Sequence, residues 1–269
     1  MGWLKDHPDH RDRSLNHPQV MALLDQYARE GIASGGPGSI DLRQYCTAIE
    51  DQGQLGSCTA HAAIGCLEMM NKRVQGNSLD LSRLFVYKAT RDMMQQKGDT
   101  GAYLRNVAGA LAYFGAPPEK YWPYTISKFD TEPTAFLYSL ADNYLVDQYA
   151  RLDPAGVLAT QIMANIKAML AKAIPIMFGF TVYESFYNVT TNGMIPYPKP
   201  TEKVVGGHAI CIVGYDDSKG CFLIRNSWGT SWGIGGYGWM PYDFLMNGLA
   251  SDFWVLLSSK FTNLAQFQG

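Results

Sequence analysis

An α+β fold of two lobes with a cleft between them is the architecture this chain predicts, and three features point to it. Apolar residues recur with helical spacing as far as about residue 114. From about residue 174 onward, short runs rich in β-branched and aromatic residues take over, and Gly, Asn and Asp turns separate them. Helices segregated from antiparallel strands define the class, and two such units side by side leave a cleft.

The elements follow in chain order. Residues 16–31 predict an amphipathic helix: Asn16 as cap, Pro18 in the first turn, Val20, Leu23, Leu24 and Tyr27 on one stripe, and Gly31 as the stop. ASGGPGS at 33–39 reads as a flexible connector. Residues 1–38 therefore form a leader packed on the main body rather than part of its core. From Cys58 to about Lys72, the positions Ala62, Ile64, Leu67 and Met70 suit a helix buried on most sides. Further helices are expected over 81–97 and 104–114, each ended by a glycine, Gly98 and Gly115. After WPY at 122–124, two more helical stretches at 133–143 and 157–173 precede four strands: IPIMFGFTV, HAICIVGY, CFLIRNSW and DFWVLLSS. A domain of residues 39–269 follows, its helical lobe over 40–122 and its β-rich lobe over 123–260.

Composition excludes several classes of function. With 269 residues, 47% of them apolar, the chain can bury a real core without staples. A net charge of −2 gives no footprint for nucleic acid or an anionic membrane, so neither is expected as a partner. The longest apolar run, Ala173 to Tyr183, is about half the ~20 residues that a spanning helix needs. The start, MGWLKDHPDHRDR, has no apolar signal core, so a soluble protein is expected, with the compartment left open and the cytoplasm favoured over secretion.

The cysteines Cys46, Cys58, Cys66, Cys211 and Cys221 form no CxxC motif or Cys/His cluster at metal spacing, so no metal or other cofactor is expected. Cys211 and Cys221 flank a hairpin turn, YDDSKG at 215–220, but buried free thiols are expected over a disulfide there. Cys58 differs from the rest. It ends the glycine-punctuated stretch QGQLGSC at the start of a helix, where unpaired N–H groups and a partial positive charge stabilise a thiolate.

A thiol nucleophile needs a base. His7, His10 and His17 lie in the leader, leaving His61 and His208. His61 shares a helical face with Cys58, but is read as packing beneath the helix or facing solvent. His208 follows two glycines, Gly206 and Gly207, at the head of a buried-strand pattern, and that rigid placement suits a base. Asn226, in IRNSWGTSWG, could accept the imidazole N–H and fix its tautomer, with the Trp228 indole shielding that bond. Taken alone, NSWG reads equally as a turn.

Together these segments resemble the papain-like cysteine peptidases, whose reacting residues come in the order Cys, His, Asn. QGQLGSCT matches the family's glutamine-to-nucleophile motif at Gln52, Gly53, Gly56, Ser57 and Cys58. GGHAICIVGY matches the histidine motif at His208, and RNSWGTSWG the asparagine motif at Asn226, Trp228, Gly229 and Trp232. His208 follows Cys58 by about 150 residues, a spacing that comes with the resemblance to papain rather than adding to it. The resemblance runs from about Ile40 to Ser258, and the short leader looks like that of a bacterial branch of the xylellain kind.

The resemblance implies a papain-like fold, a helical left lobe and an antiparallel β-barrel-like right lobe flanking the cleft. It implies a thiol protease that cleaves peptides or proteins through a Cys58–His208 thiolate–imidazolium pair and a thioester. Gln52 and the Cys58 N–H would hold the oxyanion, and Asn226 and Trp228 would support His208. Gly101 and Ala102 are the expected substrate contacts on one wall, with Gly206 and Gly207 opposite. No adjacent histidine pair marks a carboxydipeptidase loop, so an endopeptidase acting as a monomer is expected. Its leader would cover the cleft as pro-segments do in this family, making the chain a zymogen, or else be a permanent appendage. A catalytically silent binding protein on the same scaffold, or a thiol acyltransferase or deamidase, are the rival readings. Two departures stand out: Leu55 replaces a cysteine that pairs in many members, and Thr59 replaces an aromatic wall residue of the cleft.

Overall fold

The computed structural model describes residues 1–29, 38–189 and 191–258. Helix α1 spans Pro18–Arg29, so Pro18 opens it where a missing N–H costs nothing. Its stripe buries Val20, Leu23 and Tyr27, and the Tyr27 hydroxyl donates to the Ser258 carbonyl at 3.0 Å. Gly31 and most of the connector, residues 33–37, lie outside the described residues, as does Ser259 of the last strand run. The leader is not merely laid on the body: Trp3, Val20 and Tyr27 belong to the contiguous core. An exposed apolar stripe must find a partner, and this one finds it in the body's core.

Helix α2, Cys58–Gln75, is the axis of the helical lobe, buried on every side from Cys58 to Met70. The small side chains Ala60, Ala62, Ala63 and Gly65 let its neighbours approach closely, and Gly76, at φ 71°, caps it through a bond to the Lys72 carbonyl. Helix α3, Arg83–Met93, is capped by Ser82, whose Oγ accepts the Phe85 N–H at 3.2 Å. It ends earlier than its periodicity predicts, because the chain turns at Gln95, at φ 57°. Helices α4 (Leu104–Tyr113), α5 (Ala135–Ala141) and α6 (Ala159–Ala171) fall inside the predicted stretches, and a short α7 (Asp243–Met246) was not anticipated.

The strands are β1 (Trp3–Leu4), β2 (Ser39–Asp41), β3 (Ala102–Tyr103), β4 (Gln148–Arg151), β5 (Ile176–Tyr183), β6 (Val204–Asp216), β7 (Cys221–Arg225), β8 (Tyr237–Pro241) and β9 (Ala250–Leu257). Seven of them form one antiparallel sheet in the order β4-β9-β5-β6-β7-β8, with β2 pairing against the end of β6. The outer strands β4 and β8 do not pair with each other, so the sheet stays open rather than closing as a barrel. The long β6 packs on α2 and carries His208 at its buried centre. The other two strands, β1 and β3, pair in parallel, with Trp3 opposite Ala102 and Leu4 opposite Tyr103. All five cysteines are free and buried. Cys211 does not face Cys221: its sulfur lies 3.6 Å from that of Cys66, so α2 and β6 meet through two thiols.

Candidate active site

Cys58 is the first residue of α2, so its backbone N–H has no acceptor within the helix and points into the space before it. The preceding turn is fixed by Gly53, at φ 58°, whose N–H is held by Asp51 Oδ1 at 2.9 Å. Ser57 stands at the N-cap of α2, but its side chain makes no capping bond. Its Oγ bonds the Tyr124 hydroxyl at 2.6 Å, and that hydroxyl donates to the Gln52 carbonyl at 2.9 Å. The 50–52 segment is also stitched to the 227–229 turn, by Gln52 N–H to the Ser227 carbonyl at 2.9 Å and Gly229 N–H to the Glu50 carbonyl at 3.0 Å. The glutamine and asparagine motifs therefore move as one piece.

Within that piece, Gln52 is held at both ends of its amide. Ser227 Oγ donates to Oε1 at 2.7 Å, and Nε2 donates one hydrogen to the Leu55 carbonyl at 2.9 Å, which leaves the other free. His208 Nε2 donates to Asn226 Oδ1 at 2.8 Å, and the same oxygen accepts the Ser227 N–H at 2.8 Å. The imidazole is thereby fixed with Nδ1 unpaired among the described residues. Trp228 stacks on the ring, centroids 4.7 Å apart and planes 24° apart. The N–H of Ala209, the residue after His208, lies near enough to the Cys58 sulfur to favour the thiolate, so the start of α2 sits beside β6. Gln52, Ser227, Asn226, His208 and Trp228 thus form one bonded and stacked cluster, with Cys58 at the head of the helix beside it. His61 does not join them: its Nδ1 is turned back on the Ser57 carbonyl at 3.1 Å and its ring meets Tyr124 edge-on, which is the packing role expected of it.

The electrostatics of the site depend on what lies over it. Both Cys58 and His208 are completely buried. Burial pushes the Cys58 thiol up and pulls the His208 imidazole down to about 4, although the bond to Asn226 works the other way. In this covered state burial favours the neutral form of both groups over the ion pair that the motifs imply.

The cover is the chain's own N-terminal arm. The Gly2 N–H faces the Cys58 sulfur, and the Gly2 carbonyl accepts the Ala102 N–H at 2.8 Å. A Cβ on Gly2 would lie 1.8 Å from the Gly56 carbonyl oxygen, and one on Gly101 would lie 2.4 Å from the Gly2 oxygen, so only bare backbone fits there. The Trp3 ring lies flat on Gly179 and against Gly207. Its Nε1 donates to Asp252 Oδ2 at 3.1 Å, and the Asp6 N–H reaches the same oxygen at 2.7 Å. Gly101, Ala102 and Gly207, the expected substrate contacts, all touch this arm. Thr59 is fully buried with its hydroxyl unpaired among the described residues, and Leu55 is buried in the core.

Sequence reasoning missed Trp3, Asp252, Tyr124 and Ser227. A lone aromatic in a charged leader, and a carboxylate opening the apolar run DFWVLL, were the available signals for the first two. Among the described residues no group of His, Cys, Asp or Glu is arranged to hold a metal ion, and no helix is long and apolar enough to cross a membrane.

This constellation has known counterparts. The model of the papain family of cysteine proteases matches residues 36–253. An uncharacterized peptidase C1-like protein of Acanthamoeba polyphaga mimivirus is 34% identical over 95% of this chain and 86% of its own. Cysteine proteinase 2 of Entamoeba histolytica is 28% identical over 80% of this chain and 67% of its own. The crystal structure of xylellain, a cysteine protease from Xylella fastidiosa, superposes with a TM-score of 0.80 at 33% identity, covering 96% of this chain and 95% of the other. Order of motifs, convergence of the side chains and similarity along nearly the whole length agree, and the chain belongs to the papain family of cysteine proteases.

Proposed function

We propose that this protein is an endopeptidase in which Cys58 is the nucleophile and His208 the general acid and base, held in check by its own N-terminal arm. Gly2 carries this reading: it lies at the thiol with its backbone hydrogen-bonded to Ala102, where a peptide substrate would lie. When the arm leaves, water reaches both groups, the desolvation that holds them neutral falls, and the proton passes from Cys58 to His208 Nδ1. The thiolate attacks a peptide carbonyl carbon. The resulting oxyanion takes hydrogen bonds from the Cys58 N–H and the free Gln52 Nε2–H. His208 delivers its proton to the departing amine, leaving a thioester, and then takes a proton from the water that hydrolyses it. Asn226 keeps Nε2 occupied throughout, so that Nδ1 is the atom that exchanges protons.

Labelling by a thiol-directed epoxide peptide, followed by mass spectrometry, tests the assignment. Stoichiometric modification at Cys58 is expected, slow in the full chain, faster in a Trp3→Ala variant and lost in a His208→Ala variant. Equal labelling rates with and without Trp3 would remove the autoinhibitory role. Labelling that ignores His208 would remove the catalytic pair.

A further inference from the structure

The place taken by Trp3 has a chemistry of its own. Two glycines make it a flat slot: a Cβ on Gly179 would sit 1.9 Å from Trp3 Cε2, inside the indole, and one on Gly207 would sit 2.8 Å from Cε3. Beside the ring lies an open pocket lined by Trp3 itself with Thr181, Gly206, Leu249 and Ser251. At the end of the slot stands a carboxylate rather than an apolar floor. Asp252 is buried with Oδ1 held by Arg151 Nη2 at 2.6 Å, while among the described residues Oδ2 is served only by groups of the arm, Trp3 Nε1 and the Asp6 N–H. Departure of the arm therefore leaves a buried acceptor oxygen open to the slot, which is unfavourable unless a new donor replaces the old one.

We infer that this slot selects substrate side chains that are flat and end in an N–H donor, tryptophan and arginine, over apolar side chains of similar size. The inference rests on the reading of the cleft as a peptide-cleaving site, and adds the chemistry of one substrate position. Gly2 lies at Cys58 and Trp3 is its neighbour, so a substrate with its scissile carbonyl at Cys58 places an adjacent side chain in the slot. Planarity comes from the two glycines, since a tetrahedral branch would meet backbone where the ring now lies. Donor preference comes from Asp252 Oδ2.

The arm itself offers a test that needs no turnover. In the full chain, Trp3→Arg, Trp3→Phe and Trp3→Leu are compared by hydrogen exchange of the Ala102 amide, which is protected only while Gly2 is docked. Trp3→Arg is expected to retain protection close to that of the parent, and Trp3→Phe and Trp3→Leu to lose about tenfold, the worth of one hydrogen bond. If Phe protects as well as Trp while Arg does not, the slot is simply apolar and the inference is overturned. The second arm uses the Trp3→Leu chain with fluorogenic peptides that differ only at the slot position. Trp and Arg peptides are expected to exceed Phe and Leu peptides about tenfold in kcat/KM, and an equal or reversed order overturns the inference. An inactive enzyme that keeps the exchange ranking still supports the slot's selectivity, and counts against peptide hydrolysis alone.

Discussion

Asn226 Oδ1 holds two donors at 2.8 Å, His208 Nε2 and the Ser227 N–H, so one side-chain oxygen sets both the tautomer of the base and the turn that carries Ser227 to Gln52. Asn226→Ala removes that shared acceptor. The imidazole keeps its place, because Trp228 and Phe186 still pack against it, but not its orientation. We expect kcat/KM to fall about tenfold to a hundredfold, less than the ~10²–10⁴ expected for loss of the base in His208→Ala. Equal losses for the two variants would mean that Asn226 does more than orient.

Gln52 offers one free amide hydrogen, the other being engaged by Leu55. Gln52→Ala is therefore expected to lower kcat by ~10²–10³, the usual cost of one oxyanion donor, with KM little changed. Steady-state kinetics on a single peptide decide it. A loss confined to KM would mean that Gln52 binds substrate and not the transition state.

The residues proposed to react stand out in the sequence because each lies in a local motif whose chemistry is carried by its neighbours: Gln52 to Cys58, Gly206 to His208, Asn226 to Trp228. The long helices and the four strong strands were legible for the same reason, each having a period of its own. What was not legible depends on pairing across the chain. Strand β1 is two residues long, with no period to read, and exists only because Gly2 meets Ala102. The early end of α3, the short strands β2, β4 and β8, and the entry of Trp3 and Tyr27 into the core are likewise set by partners a hundred or more residues distant or by turns without a strong signal. The burial that favours neutral Cys58 and His208 has the same origin, since it follows from the arm that covers them.

A buried ion pair ties α2 to α3. Glu68 is fully buried and accepts from Arg83 Nη2 at 2.8 Å, Thr47 Oγ1 at 2.8 Å and the Leu81 N–H at 3.0 Å. Glu68→Ala leaves the buried Arg83 guanidinium without its closest partner, and is expected to cost about 3–5 kcal/mol. Urea unfolding measures it. A cost below about 1 kcal/mol would show that Asp80 and Glu50, which also approach Arg83, carry the pairing instead.

The arm should dock more tightly at low pH. Asp6 accepts from Trp254 Nε1 at 3.0 Å and lies beside Asp252; burial first, and then that neighbouring carboxylate, raise it to about 7. Arg105 and Arg151 oppose the rise, and Lys5 acts in the same sense on Asp252, whose carboxyl burial also raises. Asp153, facing the same cluster, is raised to about 6. In a released arm, Asp6 returns to the ordinary carboxylate value near 4. Between about pH 4 and 7 the docked state therefore binds the extra proton, so docking is strongest below that window, weakens through it and is flat above. The protection factor of the Ala102 amide is expected to fall from pH 5 to pH 7, by at most about tenfold per unit. Asp6→Asn should flatten the profile. Protection that rises with pH would contradict the assignment.

Gly179→Ala separates the arm from the body most cleanly. The nearest atoms that a Cβ there would meet all belong to Trp3, at 1.9 to 2.4 Å, so the methyl group expels the ring and leaves the surrounding sheet to adjust less. Gly179 pairs with Ala209 on β6 and Ser251 on β9, in a strand geometry that alanine adopts without strain. The variant is expected to fold, to lose protection at Ala102, and to label Cys58 faster than the parent, because the Gly2 N–H no longer sits at the sulfur. Far-UV dichroism, amide exchange and the epoxide reaction measure these three outcomes on one sample. A folded Gly179→Ala protein with Ala102 still protected would show that Gly2 docks without Trp3, and that the slot is not what fastens the arm.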